Sequence, residues 1–269
     1  MKRDERWFVS LLCAAILSVG LVGLGHAEIL STGVNTEIEP GPVIVESPFE
    51  GGCSILWFRH FSGEDSERER LMEFGYDVTL TDREESLVID NLMNYGILVI
   101  AYTPPGALTA QHGDILAYVS QGGGVLIHQP NATGIVDYAP PGFDVEILNP
   151  FWCQVGGEFS EIVDGSHPIT SGLANADLSG AFDDVGALGS GYSVLAKSTL
   201  CDVPSLAVGT SGLGRVAFDT GNGSAQSASP GSEQYWDQLF GWLCTAGPIS
   251  VKPSTWGSTK AAYRGGASR

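Results

Sequence analysis

Residues Leu108–Asn131 read LTAQHGDILAYVSQGGGVLIHQPN, and this stretch decides the fold class. Behind Thr109, a residue type suited to an N-cap, Ile115, Leu116 and Val119 fall on one helical stripe. Gly122, Gly123 and Gly124 supply the helix stop and the turn. Val125–His128 is then a short apolar run of strand length that ends in polar residues. Helix, glycine turn and buried strand make half of an α/β unit.

The same rhythm extends upstream. Ser54–His60 (SILWFRH) reads as a strand. Ser62-Gly63-Glu64-Asp65 opens a helix, with a capping serine and acids that suit its N-terminal dipole. Leu71, Met72 and Phe74 form its apolar side and Gly75 stops it. Asp77–Thr81 reads as a second strand, and Ser86–Tyr95 as a helix with Leu87, Val88, Leu92 and Met93 inward. Ile97–Tyr102 (ILVIAY) is continuously apolar, as expected of a strand buried on both faces. Alternating strands and helices imply βαβ crossovers, hence an α/β fold with a mainly parallel central sheet. Ser54–His60, Ile97–Tyr102 and Val125–His128 are its expected central strands.

Downstream the rhythm changes. Ala132–Asp164 holds Pro140-Pro141-Gly142 and Asn149-Pro150 and shows no clear period. Tyr192–Lys197, Ser205–Val208 and Gly214–Asp219 read as three short strands, the last two joined as a hairpin through Gly209–Gly214. Gln234–Cys244 is an amphipathic helix with Trp236, Leu239, Phe240 and Leu243 inward. Gly247-Pro248 ends the domain, and Ser254–Arg269 is a basic tail.

The chain begins with a basic cluster, Lys2, Arg3 and Arg6, followed by an apolar run from Trp7 to Gly23 and by Gly25-His26-Ala27. This is the layout of a signal peptide over residues 1–27, cut after Ala27. An uncleaved anchor is the alternative, but the run is short for a span and rich in glycine. Residues 28–52 read as an extended, Pro- and Gly-rich leader with one edge strand at Val43–Val45. Residues 53–247 form the α/β domain and 248–269 the tail. The expected location is secreted or periplasmic, with no membrane span after cleavage. The formal charge of −18, from 13 basic and 31 acidic residues, argues against nucleic acid and anionic lipid as partners.

Three stretches carry a family resemblance. Thr109–Leu126 follows T-x(5)-L-x-x-Y/F-V-x-x-G-G-G-V-L, with Ile115 at the leucine position. His167–Leu173 reads HPITSGL. Pro204–Asp219 reads PSLAVGTSGLGRVAFD and is followed by an aromatic-rich helix. In this order they resemble the class I glutamine amidotransferase-like superfamily, especially its secreted, non-catalytic or trehalose-utilisation-like branches. The resemblance spans Ser54 to Cys244 and implies a flavodoxin-like three-layer fold with loops gathered at the C-terminal strand edge. In the amidotransferases a Gly-x-Cys-x-Gly elbow follows the strand that here is Val125–His128. This chain has His128-Gln129-Pro130 there, and neither imidazole nor amide replaces a thiolate nucleophile. No His-x-Glu pair near the end completes a triad, so the chain is not expected to be a glutaminase.

Parallel sheets bind ligands beyond the C-terminal ends of their strands. The residues expected there are Arg59, His60, Tyr102, Thr103, His128 and Gln129, with Asp219 as a further candidate. His60 and His128, with His167, are candidates for acid–base or metal chemistry. The simpler reading is that each imidazole bonds loop backbone, and no ligand spacing supports a metal. Glu64 and Asp65 read first as helix-start acids, with catalytic carboxylates near His60 as the alternative. Gly122–Gly124 precedes a strand and lacks the amide fan of a phosphate loop. Asn131-Ala132-Thr133 and Asn222-Gly223-Ser224 match glycosylation acceptors. No cofactor is implied. The leading expectation is a non-catalytic module that binds a small molecule or an envelope protein. The alternative is an envelope hydrolase using His60 and His128 with a carboxylate or metal. Clustering of the three imidazoles favours the second, and dispersal the first.

Cys53, Cys153, Cys201 and Cys244 follow the signal, and an even count in an exported chain suggests two disulfides. Cys53 stands at the start of the first strand and Cys244 at the end of the last helix. A crossover helix runs antiparallel to the strands, so these two ends share one edge of the sheet. This favours Cys53–Cys244 and leaves Cys153–Cys201; four free thiols are the alternative.

Overall fold

A computed structural model describes residues 53–60, 66–130, 132–153, 160–178, 182–221 and 230–245. The signal peptide, the leader with Val43–Val45, the helix start at Ser62–Asp65, the basic tail, Asn131 and Asn222 lie outside these residues.

An eight-stranded sheet organises the domain. Its strands are β1 (Ser54–Arg59), β2 (Asp77–Thr81), β3 (Ile97–Ala101), β4 (Gly124–His128), β7 (Ser160–Ile162), β9 (Ser193–Ser198), β10 (Pro204–Ser211) and β11 (Gly214–Asp219). The order is β2-β1-β3-β4-β11-β10-β9-β7. The first five strands are mutually parallel. Their order follows the 2-1-3-4-5 pattern of one class of doubly wound sheets. All three expected central strands lie in this half. The other half departs from the expectation of a mainly parallel sheet, because β10, β9 and β7 pair antiparallel. The reason is local: a turn of two residues, Gly212-Leu213, joins β10 to β11, and so tight a connection can only reverse the chain.

Alternate residues of β1, β3, β4 and β11 enter opposite cores. Ile55 and Trp57 of β1, Val99 of β3 and Leu126 of β4 join Leu71 of helix α1 (Ser66–Phe74) and the inward face of the last helix. Leu56, Phe58, Ile100 and Ile127 join Leu92 of helix α2 (Ile89–Leu92) and Ile115, Tyr118 and Val119 of helix α3 (His112–Ser120). The last helix is α4 (Pro230–Cys244), which turns Trp236, Leu239, Phe240 and Leu243 inward as expected.

Two helix expectations need correction. Ser86–Tyr95 is not one helix. A single 3₁₀ turn, Glu84–Leu87, is separated from α2 by Val88, which is extended (φ −78°, ψ 147°) and exposed rather than inward. Thr109 does not cap α3. Its hydroxyl donates to Gly106 O at 2.8 Å within the preceding turn, and α3 starts at His112 without a side-chain cap.

The aperiodic segment after Asn131 builds a second sheet, β5-β6-β8, from β5 (Gly134–Val136), β6 (Val145–Cys153) and β8 (Phe182–Leu188). Val136, Val145, Ile147 and Val185 cover the α3 face of the main sheet. Register shifts break the β6–β8 ladder at three places, which blurs any period of two. Pro150 lies in β6 beyond its pairing with β5, within the irregular stretch of its pairing with β8 between Asn149 and Cys153.

The three consecutive glycines of the deciding stretch serve three purposes. Gly122 takes φ +106° and reverses the chain after α3. A Cβ on Gly123 would stand 2.3 Å from the Tyr118 ring. One on Gly124 would stand 2.7 Å from Leu243 O of α4. Both disulfides pair as expected, Cys53–Cys244 and Cys153–Cys201. The contact of Leu243 with Gly124 shows why: α4 ends at the edge where β4 begins.

Candidate functional site

The C-terminal ends of β3, β4 and β11 are laced to one another, and β11 to the start of β10, beyond the strands themselves. Tyr102 N–H donates to His128 O, Gln129 N–H to Asp219 O and Thr220 N–H to Ser205 O, each at 3.0 Å. Tyr102 (φ 51°) and Gln129 (φ 47°) directly follow β3 and β4 in the left-handed region, although neither is glycine. Such conformations cost of order 1–3 kcal/mol each and persist where the surroundings fix them. The interstrand bonds do this here.

Gln129 is fully buried, and its Nε2 donates to Thr220 O at 3.1 Å. The sharp residue after the strand is thus a structural amide. Thr103 is also buried. Its hydroxyl donates to Ala101 O at 3.0 Å, and its own carbonyl accepts from Tyr138 OH at 2.9 Å. Arg59 and Tyr102 are partly exposed and His60 is exposed. Arg59 lines a shallow cleft with Leu80, Thr81 and Asp82, at the ends of β1 and β2. His60 Nδ1 stands 3.9 Å from Glu84 Oε1. Of the expected site residues, Arg59, His60 and Tyr102 therefore remain accessible, whereas Thr103, His128 and Gln129 form a buried layer.

His128 sits at the centre of that layer. Trp57, Tyr102 and Trp236 meet its ring edge-on, with centroids at 6.0, 6.0 and 5.8 Å. Its Nδ1 lies 3.8 Å from Asp219 Oδ2, beyond hydrogen-bond range. Asp219 is held by Tyr235 OH at 2.8 Å and by Gly221 N–H at 2.7 Å. Burial first, and then the Asp219 carboxylate, push the Tyr235 phenol well above its ordinary range. Tyr235 therefore stays a donor. Both nitrogens of His128 lack a hydrogen-bond partner among the described residues. An unsatisfied buried polar atom costs about 1–3 kcal/mol. Trp57, Trp236 and Tyr235 were not recognisable as members of this shell from sequence. Their apolar spacing reads simply as core.

The imidazoles do not converge. His167 Nδ1 accepts from Ile169 N–H at 3.2 Å, and its ring packs on Trp242 at 5.5 Å. Arg215 covers Trp242 and donates to Trp242 O and to Thr245 Oγ1 at the C-terminal end of α4. Arg215 pairs with Gly124, the first residue of β4, whereas His128 is its last. At about 3.3 Å per residue, the length of β4 puts some 13 Å between the two edges. Among the described residues no group of three His, Cys, Asp or Glu side chains is placed to hold a metal. No described helix is long and apolar enough to cross a membrane.

No family model matches this chain. No curated protein matches it. Solved structures do share the fold. A ThuA-like protein of Bacteroides uniformis aligns at 14% identity over 71% of this chain and 91% of its own, with a TM-score of 0.55. A cytoplasmic protein of Salmonella typhimurium aligns at 17% identity over 70% of this chain and 98% of its own, with a TM-score of 0.54. A second cytoplasmic protein of that species, strain LT2, gives 17% identity, 71% and 96% coverage and a TM-score of 0.50.

Proposed function

We propose that this chain is an exported protein whose domain, residues 53–247, is a flavodoxin-like, glutamine amidotransferase-like scaffold without a nucleophile. It serves as a binding module for a small molecule or an envelope protein. Gln129 carries the reading. It occupies the left-handed position after β4, where this superfamily presents its thiol, and its amide is spent on Thr220 O. The fold shared with a ThuA-like protein supports placing the chain near the trehalose-utilisation-like branch. The two disulfides support maturation in an oxidising compartment after cleavage of residues 1–27. Binding is assigned to Arg59, His60 and Tyr102, the accessible residues of the strand edge, with the cleft of Leu80, Thr81 and Asp82 beside them.

The hydrolase alternative loses the support that a cluster of three imidazoles would give it, because His167 lies at the opposite edge from His128. Two measurements on the purified protein test the proposal. Ammonia release from glutamine is expected to stay at the buffer rate, and release abolished by His128→Ala overturns the non-catalytic reading. In a thermal-shift screen of small metabolites, a stabilising compound is expected to lose its effect with Arg59→Ala. Retention of the full shift in both Arg59→Ala and His60→Ala moves binding away from this edge.

A further inference from the structure

On His128 and on three residues beside it, five buried polar atoms have no hydrogen-bond partner among the described residues. They are Nδ1 and Nε2 of His128, the indole nitrogens of Trp57 and Trp236, and Oε1 of Gln129. All four residues are 0% exposed. They come from β1, β4 with the residue after it, and α4, three elements far apart in sequence. The two indoles flank the imidazole edge-on, and Gln129 is its chain neighbour. The surrounding groups are satisfied by contrast: Asp219 by Tyr235 and Gly221, and the Gln129 amide nitrogen by Thr220. Isolated orphans have isolated explanations, but a cluster calls for a common partner.

We propose that this cage encloses a small neutral hydroxylic guest, water in the resting protein, bonded to His128 and to the two indoles. The donor inventory sets the class. An indole nitrogen only donates, Gln129 Oε1 only accepts, and a neutral imidazole does one of each. A guest that accepts from the two indoles and donates to the unprotonated nitrogen of His128 must do both from one small volume. An anion cannot donate and would face the Asp219 carboxylate, 3.8 Å from His128. A cation cannot accept from the indoles. Water does both, and buried waters ordinarily hold about three hydrogen bonds. The guest ties β1, β4 and α4 together behind the strand edge, independently of what binds at the exposed Arg59 side.

Nuclear magnetic resonance on the ¹⁵N-labelled protein tests this. Indole protons are assigned through Trp57→Phe and Trp236→Phe, and cross-peaks to the water frequency are recorded in the laboratory and rotating frames. A held water gives peaks of opposite sign in the two experiments at both indole protons, whereas chemical exchange gives the same sign. Opposite signs are the expected result. Their loss at both indoles in His128→Leu, with both disulfides and the native circular dichroism retained, is expected as well. Absent or exchange-only peaks at both indole protons of the unaltered protein overturn the proposal. So do peaks that persist undiminished in folded His128→Leu. If His128→Leu fails to fold, the unaltered protein decides alone.

Discussion

Removing the Cys53–Cys244 bridge is expected to cost more than removing Cys153–Cys201, and the cost is expected to arise in the unfolded chain. The first bridge joins residues 191 apart and the second residues 48 apart. Loop-closure entropy then gives about 5 kcal/mol for the first and about 4 kcal/mol for the second. For a domain of this size each kcal/mol moves the melting temperature by about 2–4 °C, so Cys53→Ala/Cys244→Ala should melt some 10–20 °C lower. The substitution removes little native packing, because each cysteine is replaced by a small apolar residue. The assay is guanidinium unfolding of both double variants without reductant, followed by circular dichroism and tryptophan fluorescence. The cause leaves a second signature. Opening the larger loop expands the denatured chain, so the denaturant slope should rise in both variants, and more in the first. A smaller loss for Cys53→Ala/Cys244→Ala than for Cys153→Ala/Cys201→Ala would refute the entropic account. An unchanged slope in both would place the bridges' contribution in the folded state instead.

Two further outcomes are expected. Gly214→Ala should destabilise by about 3 kcal/mol or more, read as a lower midpoint in the same titration, because its Cβ would stand 2.2 Å from Val119 O and 2.5 Å from Gly123 O, both backbone atoms; a loss below 1 kcal/mol would mean that the hairpin shifts freely. Stability should fall as pH drops below the ordinary imidazole value of 6.5. Burial holds the folded His167 below that value against the pull of Asp164, with Arg215 adding to the lowering, so the unfolded chain takes up the proton first. His167→Gln should flatten this part of the profile, and an unaltered slope in that variant would assign the effect to another group.

The parallel half of the sheet was legible in the sequence because each of its strands reports on itself. Ile97–Ala101 and Gly124–His128 are buried at every position, and a run of that kind needs cover on both faces. The Cys53–Cys244 pairing was legible for a related reason, since the direction of a crossover helix fixes which of its ends meets the strand starts. The second sheet was not legible. Its bulges and Pro150 erase the period of two, and β6 and β8 become partners only across an intervening segment. The triple glycine was read correctly as a stop and a turn, but Tyr118 and Leu243 O, which forbid a side chain at Gly123 and Gly124, are visible only once α3 and α4 are packed. The strand-end residues divide in the same way. Their position at the C-terminal edge follows from the order of elements along the chain. Tertiary packing decided that Arg59, His60 and Tyr102 keep contact with solvent while Thr103, His128 and Gln129 lie beneath them, and that His167 lies at the other edge. Periodicity along a chain tells which face of an element is apolar. It carries no record of which distant element covers that face, and that cover determines whether an imidazole meets a ligand, a carboxylate or a cage of indoles.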